Sequence, residues 1–278
     1  MGITISTLDF PEEIKNKLKD QLEAGLICDQ LESKDYTLFK IELGQQQNFG
    51  TMEYLANIIA DIVIENLEKR FISSIIKHKH QEFSTDERDI IQKMTIEHLD
   101  ELLTPDKSLG KILRKEEILR KIIQYFKQSQ ELNVEGFVRF RLKEYIEELK
   151  LAVEMAVDDF IIEKEYNEFI ELLKYFVELQ EPRIDLVNVL KKENGSFQIL
   201  DKSGGIINNE YLEGYFAEMF EEEVEYEDLL VSALINIAPL KIMLHFQNDE
   251  TEKTVEKIFS KRVEVCKGCE LCNKYPGN

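Results

Sequence analysis

The chain opens on an alternation of apolar and polar residues. Ile3 and Ile5 alternate with Thr4 and Ser6, the period of a strand with one buried face. The next stretch, PEEIKNKLKDQLEAG, predicts a helix that starts at Pro11 and stops at Gly25. YTLFKIEL predicts a second strand. Leu55, Ile58, Ile59, Ile62, Phe71, Ile75 and Ile76 then recur at helical spacing up to KHKH. The first 83 residues therefore read as a small β-α-β-α unit.

From about residue 84 to 182 the period is helical throughout. STDERDIIQKMTIEHLDELL begins with a Ser/Thr cap and has acid in its first turn. A second helix, DKSLGKILRKEEILRKIIQYFKQSQ, follows Pro105. No Gly or Pro interrupts the chain between Phe137 and Glu181. A single helix of about 45 residues would be roughly 68 Å long at about 1.5 Å per residue. That is long for a globular domain, so a bend or break is expected near Asp158–Glu165. Pro182 ends the run.

Residues 183–278 alternate again. DLVNVLKKENGSFQILDKSG holds two strand-like runs around Asn194-Gly195, a hairpin signal. An acidic stretch at 210–228 reads as a solvated helix, followed by the apolar YEDLLVSALINIAP, a buried helix stopped by Pro239. LKIMLHF, DETEKTVEKIFSKR and VEVC then read as strand, helix and strand. A crossover that short joins parallel neighbours. The fold class is α+β and predominantly helical, with short N-terminal strands and a C-terminal β-hairpin plus βαβ unit. The three segments, 1–83, 84–182 and 183–278, can equally form one domain if the N-terminal strands join the C-terminal sheet.

Composition narrows the partners. Among 278 residues, 35 are basic and 55 acidic, a net charge of −20. Such a chain repels polyanions, so nucleic acid is not an expected partner. The acid is concentrated at 210–228, with nine carboxylates and no basic residue, which is a solvated face or a docking patch for a basic protein partner. No apolar run reaches the roughly 18 residues a membrane span requires. The N-terminus has no signal-peptide pattern, and its Met1-Gly2…Ser6 match to a myristoylation pattern is better read as the first strand. A cytoplasmic setting is expected. Cys28 reads there as a small buried hydrophobe.

The remaining cysteines, Cys266, Cys269 and Cys272, repeat every three residues in VCKGCELC, with Gly268 allowing a sharp turn. Three thiols at this spacing can face one centre. Zinc takes four ligands, and an iron–sulfur cluster as a rule takes four thiolates. A ferredoxin-type run would need a cysteine where Pro276 stands. The fourth ligand must therefore come from elsewhere in the chain, from solvent or from a partner chain. His245 ends the strand LKIMLHF, and Cys266 ends VEVC; if those strands are parallel, both emerge at one sheet edge, where ligands gather in open α/β sheets. A redox dithiol and a reactive tail are the other readings.

Other residues carry less chemistry. His78 and His80 alternate with lysines and read as a polar helix end, and His98 is a lone helical histidine. Glu147, Glu154 and Asp158 lie opposite the stripe Leu142, Leu149, Val153, Ala156 and Phe160, the pattern of a solvated helix face. Arg139 and Arg141, with Lys143, Arg114, Lys115, Arg120 and Lys121, can bind an anion or pair with the surrounding acids, and pairing is favoured. No zinc-protease signature, phosphate loop or nucleophile elbow is present.

FVRFRLKEYIEEL, AVDDFIIEKEYNEFIELLKYFV, INIAPLKIMLHF and VEVCKGCELC resemble the YtxC-like family of sporulation proteins of endospore-forming bacteria. The resemblance covers nearly the whole chain and is densest over 137–272. It implies a role in sporulation and a bacterial cytosol, and brings no activity, cofactor or catalytic residue. The leading expectation is a non-enzymatic acidic interaction or regulatory module with a C-terminal three-cysteine metal or redox site. The alternative is a metal-dependent enzyme with Arg139 and Arg141 holding an anionic substrate.

Overall fold

The computed structural model describes residues 2–23, 27–34, 36–42, 48–104, 106–192, 194–207, 226–247 and 250–274. The acidic segment expected to be helical at 210–228 lies outside them up to residue 225, as do the stop at Gly25 and the punctuation at Pro105. The chain divides into two compact units, Met1–Ile162 and Glu163–Asn278. Predominantly helical and carrying two small mixed sheets, it has the α+β class expected from its periodicity.

In the first unit, β1 (Gly2–Thr7), β2 (Cys28–Glu32), β3 (Thr37–Glu42) and β4 (Glu131–Asn133) form a sheet ordered β2-β3-β1-β4. β1 buries Ile3, Ile5 and Thr7 and exposes or half-buries the residues between them, as its alternation requires. It pairs antiparallel to β3 and parallel to β4. β2 is an edge strand, so Cys28 is half-buried in a strand end rather than enclosed. The helices of this unit are α1 (Pro11–Glu23), α2 (Asn48–Ile62), α3 (Glu68–Lys79), α4 (Thr85–Leu103), α5 (Lys107–Phe126) and α6 (Val134–Arg141). A π-helical turn, Val63–Leu67, joins α2 to α3. Ser84 and Glu87 form a reciprocal capping box at the start of α4. α7 (Lys143–Leu179) buries Leu149, Val153, Ala156 and Phe160 of the expected stripe in the core of this unit, together with Leu142 just before it.

Of the bend or break expected at Asp158–Glu165, no break occurs: α7 is continuous from Lys143 to Leu179. The interruption falls at Leu142, whose backbone (φ −108°, ψ 41°) leaves the helix while its side chain stays fully buried. The basic residues of α5 pair with acids, as favoured. Arg114 is buried, with Nε 3.1 Å from Glu68 Oε2 and Nη1 2.7 Å from Asp100 Oδ1. The Tyr145 hydroxyl donates to Glu68 at 2.5 Å. Lys115 meets Asp61 at 2.5 Å, and Lys121 meets Glu144 at 2.9 Å.

In the second unit, β5 (Ile184–Lys191), β6 (Phe197–Leu200), β7 (Pro239–Leu244) and β8 (Val263–Val265) form a sheet ordered β6-β5-β7-β8. β5 and β6 make the expected hairpin, with Gly195 at φ +84° in the turn. β5, β7 and β8 are parallel. α8 (Tyr226–Ile237) and α9 (Glu250–Phe259) bury Leu230, Leu234, Val255, Ile258 and Phe259 against the sheet, together with Ile170 and Val177 of α7. Arg262 satisfies carbonyls that α7 leaves open at its end, donating to Val177 O at 2.8 Å and Gln180 O at 3.3 Å. No described helix is long and apolar enough to cross a membrane.

Candidate metal centre

The parallel ladder of the second sheet continues one residue beyond its strands. His245 N–H donates to Val189 O at 2.9 Å, and Cys266 N–H donates to Leu244 O at 2.8 Å. His245 and Cys266 therefore leave adjacent parallel strands at the same edge, as the crossover predicts. The chain turns at Gly268, whose φ of +115° strains any side chain although nothing crowds the position. The short helix α10 (Glu270–Lys274) carries Cys272 back towards Cys266.

Four ligand atoms from His245, Cys266, Cys269 and Cys272 lie within 4.8 Å of one another. The Cys269–Cys272 and Cys272–Cys266 sulfurs are 3.8 Å apart. His245 Nδ1 is 3.3 Å from Cys272 Sγ and 3.5 Å from Cys269 Sγ. A tetrahedral zinc ion, with Zn–S about 2.3 Å and Zn–N about 2.0–2.1 Å, sets ligand separations of about 3.8 Å for two sulfurs and about 3.6 Å for sulfur and nitrogen. The four edges match those of one small ion. A cluster that places each thiolate on a different iron needs its sulfurs further apart.

The histidine is prepared for this role by a residue that the sequence analysis did not single out. Asn188 Nδ2 donates to Asp201 O at 3.2 Å, and a carbonyl can only accept. The amide oxygen therefore faces His245, and Nε2 must donate to it, at 2.9 Å. That places the proton on Nε2 and leaves the Nδ1 lone pair facing the cysteines. An outer partner of this kind fixes the tautomer and orientation of metal-binding histidines. His245 and Asn188 are 4% and 7% exposed, so both groups need these bonds. Burial also lowers the His245 pKa and favours the neutral ring. The signal for Asn188 was one polar residue inside the apolar run LVNVL.

The thiols are tuned locally. Bonding from the Cys272 backbone N–H leads the causes that lower the Cys269 pKa; burial opposes it, and contacts from Cys266 and Leu271 assist. Burial pushes the Cys272 thiol up. Gly268 N–H donates to Cys266 Sγ at 3.4 Å. The backbone donors to Cys269 favour its thiolate, the form that binds metal.

The anion-binding candidates lie in the first unit. Arg141 stacks over Tyr125, 5.6 Å from its ring centroid, and lines a surface cleft of about 450 Å³ with Lys121, Lys143 and Glu144. Arg139 is exposed and does not line that cleft. His78 is a polar helix end, bonded to Ser74 O at 2.7 Å, and His98 meets Asp159 at 2.9 Å. Among the described residues, the His245–cysteine group is the one His/Cys constellation with metal-ligand geometry.

The fold and the site together define an α+β protein with a Cys₃His constellation where the parallel strands β7 and β8 of a mixed sheet end. The YtxC-like family matches residues 53–264, and the chain belongs to that family. A curated relative, named "Uncharacterized protein YtxC" and from Bacillus subtilis (strain 168), is 26% identical over 224 residues, covering 78% of each chain. The family match includes His245 and Asn188 and ends at Glu264, before the three cysteines. No solved structure matches the chain.

Proposed function

We propose that the chain is a cytosolic, non-enzymatic interaction module acting in sporulation, and that one zinc ion held by His245, Cys266, Cys269 and Cys272 fastens its C-terminal segment to the second sheet. The observation that carries the zinc reading is the agreement of four ligand separations with one tetrahedral ion. Four protein ligands close the coordination sphere, which is the mark of structural sites; catalytic zinc keeps a position open. This favours a structural role over the metal-dependent enzyme. The sporulation role and the cytosolic setting rest on the family resemblance, and the free cysteines suit a reducing compartment.

The test is metal content per chain for protein purified without oxygen and without added metal. One zinc per chain, lost in Cys269→Ser, supports the proposal. Zinc-free protein whose melting is unaffected by zinc or chelator would overturn it. In a spore-forming host lacking the native gene, the wild-type chain should restore sporulation and Cys269→Ser should not. Full rescue by Cys269→Ser would remove the link between site and process.

A further inference from the structure

The C-terminal half of α7 has two apolar faces. Ile170 and Val177 enter the core of the second unit. On the adjacent face, Phe169, Leu172, Phe176 and Leu179 are 51–65% exposed, and Tyr175 beside them is 58% exposed. Spacings of three, four and three residues put the first four in one stripe, the pattern of a helix seam that expects a partner. Contiguous apolar surface made of large side chains marks an interaction site more often than it marks ordinary surface.

The stripe has an acidic border. Glu165 and Glu168, both exposed, lie on and beside the stripe at helical spacing, while Glu171 and Glu178 lie further round the helix with Lys164 and Lys174. Lys174 is already engaged by Glu171 at 3.5 Å. A second copy of the chain would bring the same carboxylates to the seam, and like charges there oppose pairing. Anionic lipid is opposed for the same reason. A helix bearing lysine or arginine beside its apolar residues would be attracted.

We propose that this face of α7 docks an amphipathic helix of a protein partner, with apolar side chains at alternating three- and four-residue spacing and basic residues flanking them. The apolar stripe provides the buried contact, and the carboxylate border selects the partner by charge. The docking face is independent of the zinc site.

The probe is a labelled synthetic peptide of about 20 residues with leucines at that spacing and lysines on both flanks, and a counterpart with glutamate at every lysine position. Fluorescence anisotropy with the full-length chain should show the lysine peptide binding at least about tenfold tighter than the glutamate peptide, with affinity falling as salt rises. Phe176→Glu should weaken binding by about tenfold or more. Its melting temperature should not change, because Phe176 is exposed. Equal binding of the two peptides, or none, would overturn the proposal. A fall in melting temperature for Phe176→Glu would mean that the chain itself covers the face. A wild-type dimer that Phe176→Glu separates, seen by sedimentation, would give the face to a second copy. Either result would also overturn the proposal.

Discussion

Replacing Asn188 by alanine tests whether the second sheet holds His245 ready for a metal. The substitution removes the acceptor of the His245 Nε2–H, 2.9 Å away, and the donor to Asp201 O, 3.2 Å away. His245 is 4% exposed, so water does not readily replace the lost acceptor. A buried donor left unpaired costs about 1–3 kcal/mol. Loss of an outer-shell partner lowers metal affinity by about 10–100-fold, which is about 1.4–2.8 kcal/mol. The two costs are of similar size, so the zinc-free stability and the zinc affinity should both fall. Competition against a chromophoric zinc chelator at pH 7 should give a Kd about 10–100-fold above wild type. The gain in melting temperature on adding zinc should shrink in parallel. A variant that loses stability without zinc yet keeps its zinc Kd within about threefold would refute the reasoning, and Asn188 would then be a core amide unconnected with the site.

Further expectations follow from other positions. Arg114→Met leaves Glu68 buried without its cation and should lower the urea unfolding free energy by about 3–5 kcal/mol; Arg114→Met with Glu68→Met should recover much of that loss, and an equally unstable double variant would contradict the assignment. Gly268→Ala meets no clash but must hold φ near +115°, a strain of about 1–3 kcal/mol, so zinc affinity should fall by about tenfold while the zinc-free melting temperature stays near wild type. Burial, and then the Glu68 charge, raise the Tyr145 pKa well above 10, so its folded state keeps the proton that the unfolded chain releases. The stability this contributes is full below about pH 10 and is lost as pH rises towards the folded value, so the alkaline decline above about pH 10 should be shallower in Tyr145→Phe, and identical slopes would contradict it.

The site was legible where local patterns fixed topology. A strand, a short helix and a strand over LKIMLHF to VEVC favour parallel neighbours, and that pairing brings His245 and Cys266 to one edge. Asn194-Gly195 announced the β5–β6 hairpin for the same reason, since its turn chemistry is local. What escaped depends on distant partners. Asn188 looked like a polar residue in an apolar strand until Asp201 and His245 were placed on either side of it. β4 has three residues and pairs with β1 from more than 120 positions away, so no periodicity could reveal it. The break at Leu142 carries neither Gly nor Pro, and the long helix beyond it is continuous through the stretch where a bend or break was expected. The basic residues of α5 and α6 separated only once their acids were located: Arg114 is enclosed by Glu68 and Asp100, and Arg141 rests on Tyr125.

One zinc ion joining His245 to the three cysteines is the proposal that a single measurement can decide. Zinc-edge X-ray absorption of the anaerobically purified chain reads that shell directly. The expected shell is three sulfurs at about 2.3 Å and one nitrogen at about 2.0–2.1 Å, changing to two sulfurs in Cys269→Ser and losing the imidazole signature in His245→Ala. A shell of two sulfurs with oxygen ligands in the wild type, or one unchanged by His245→Ala, would contradict it.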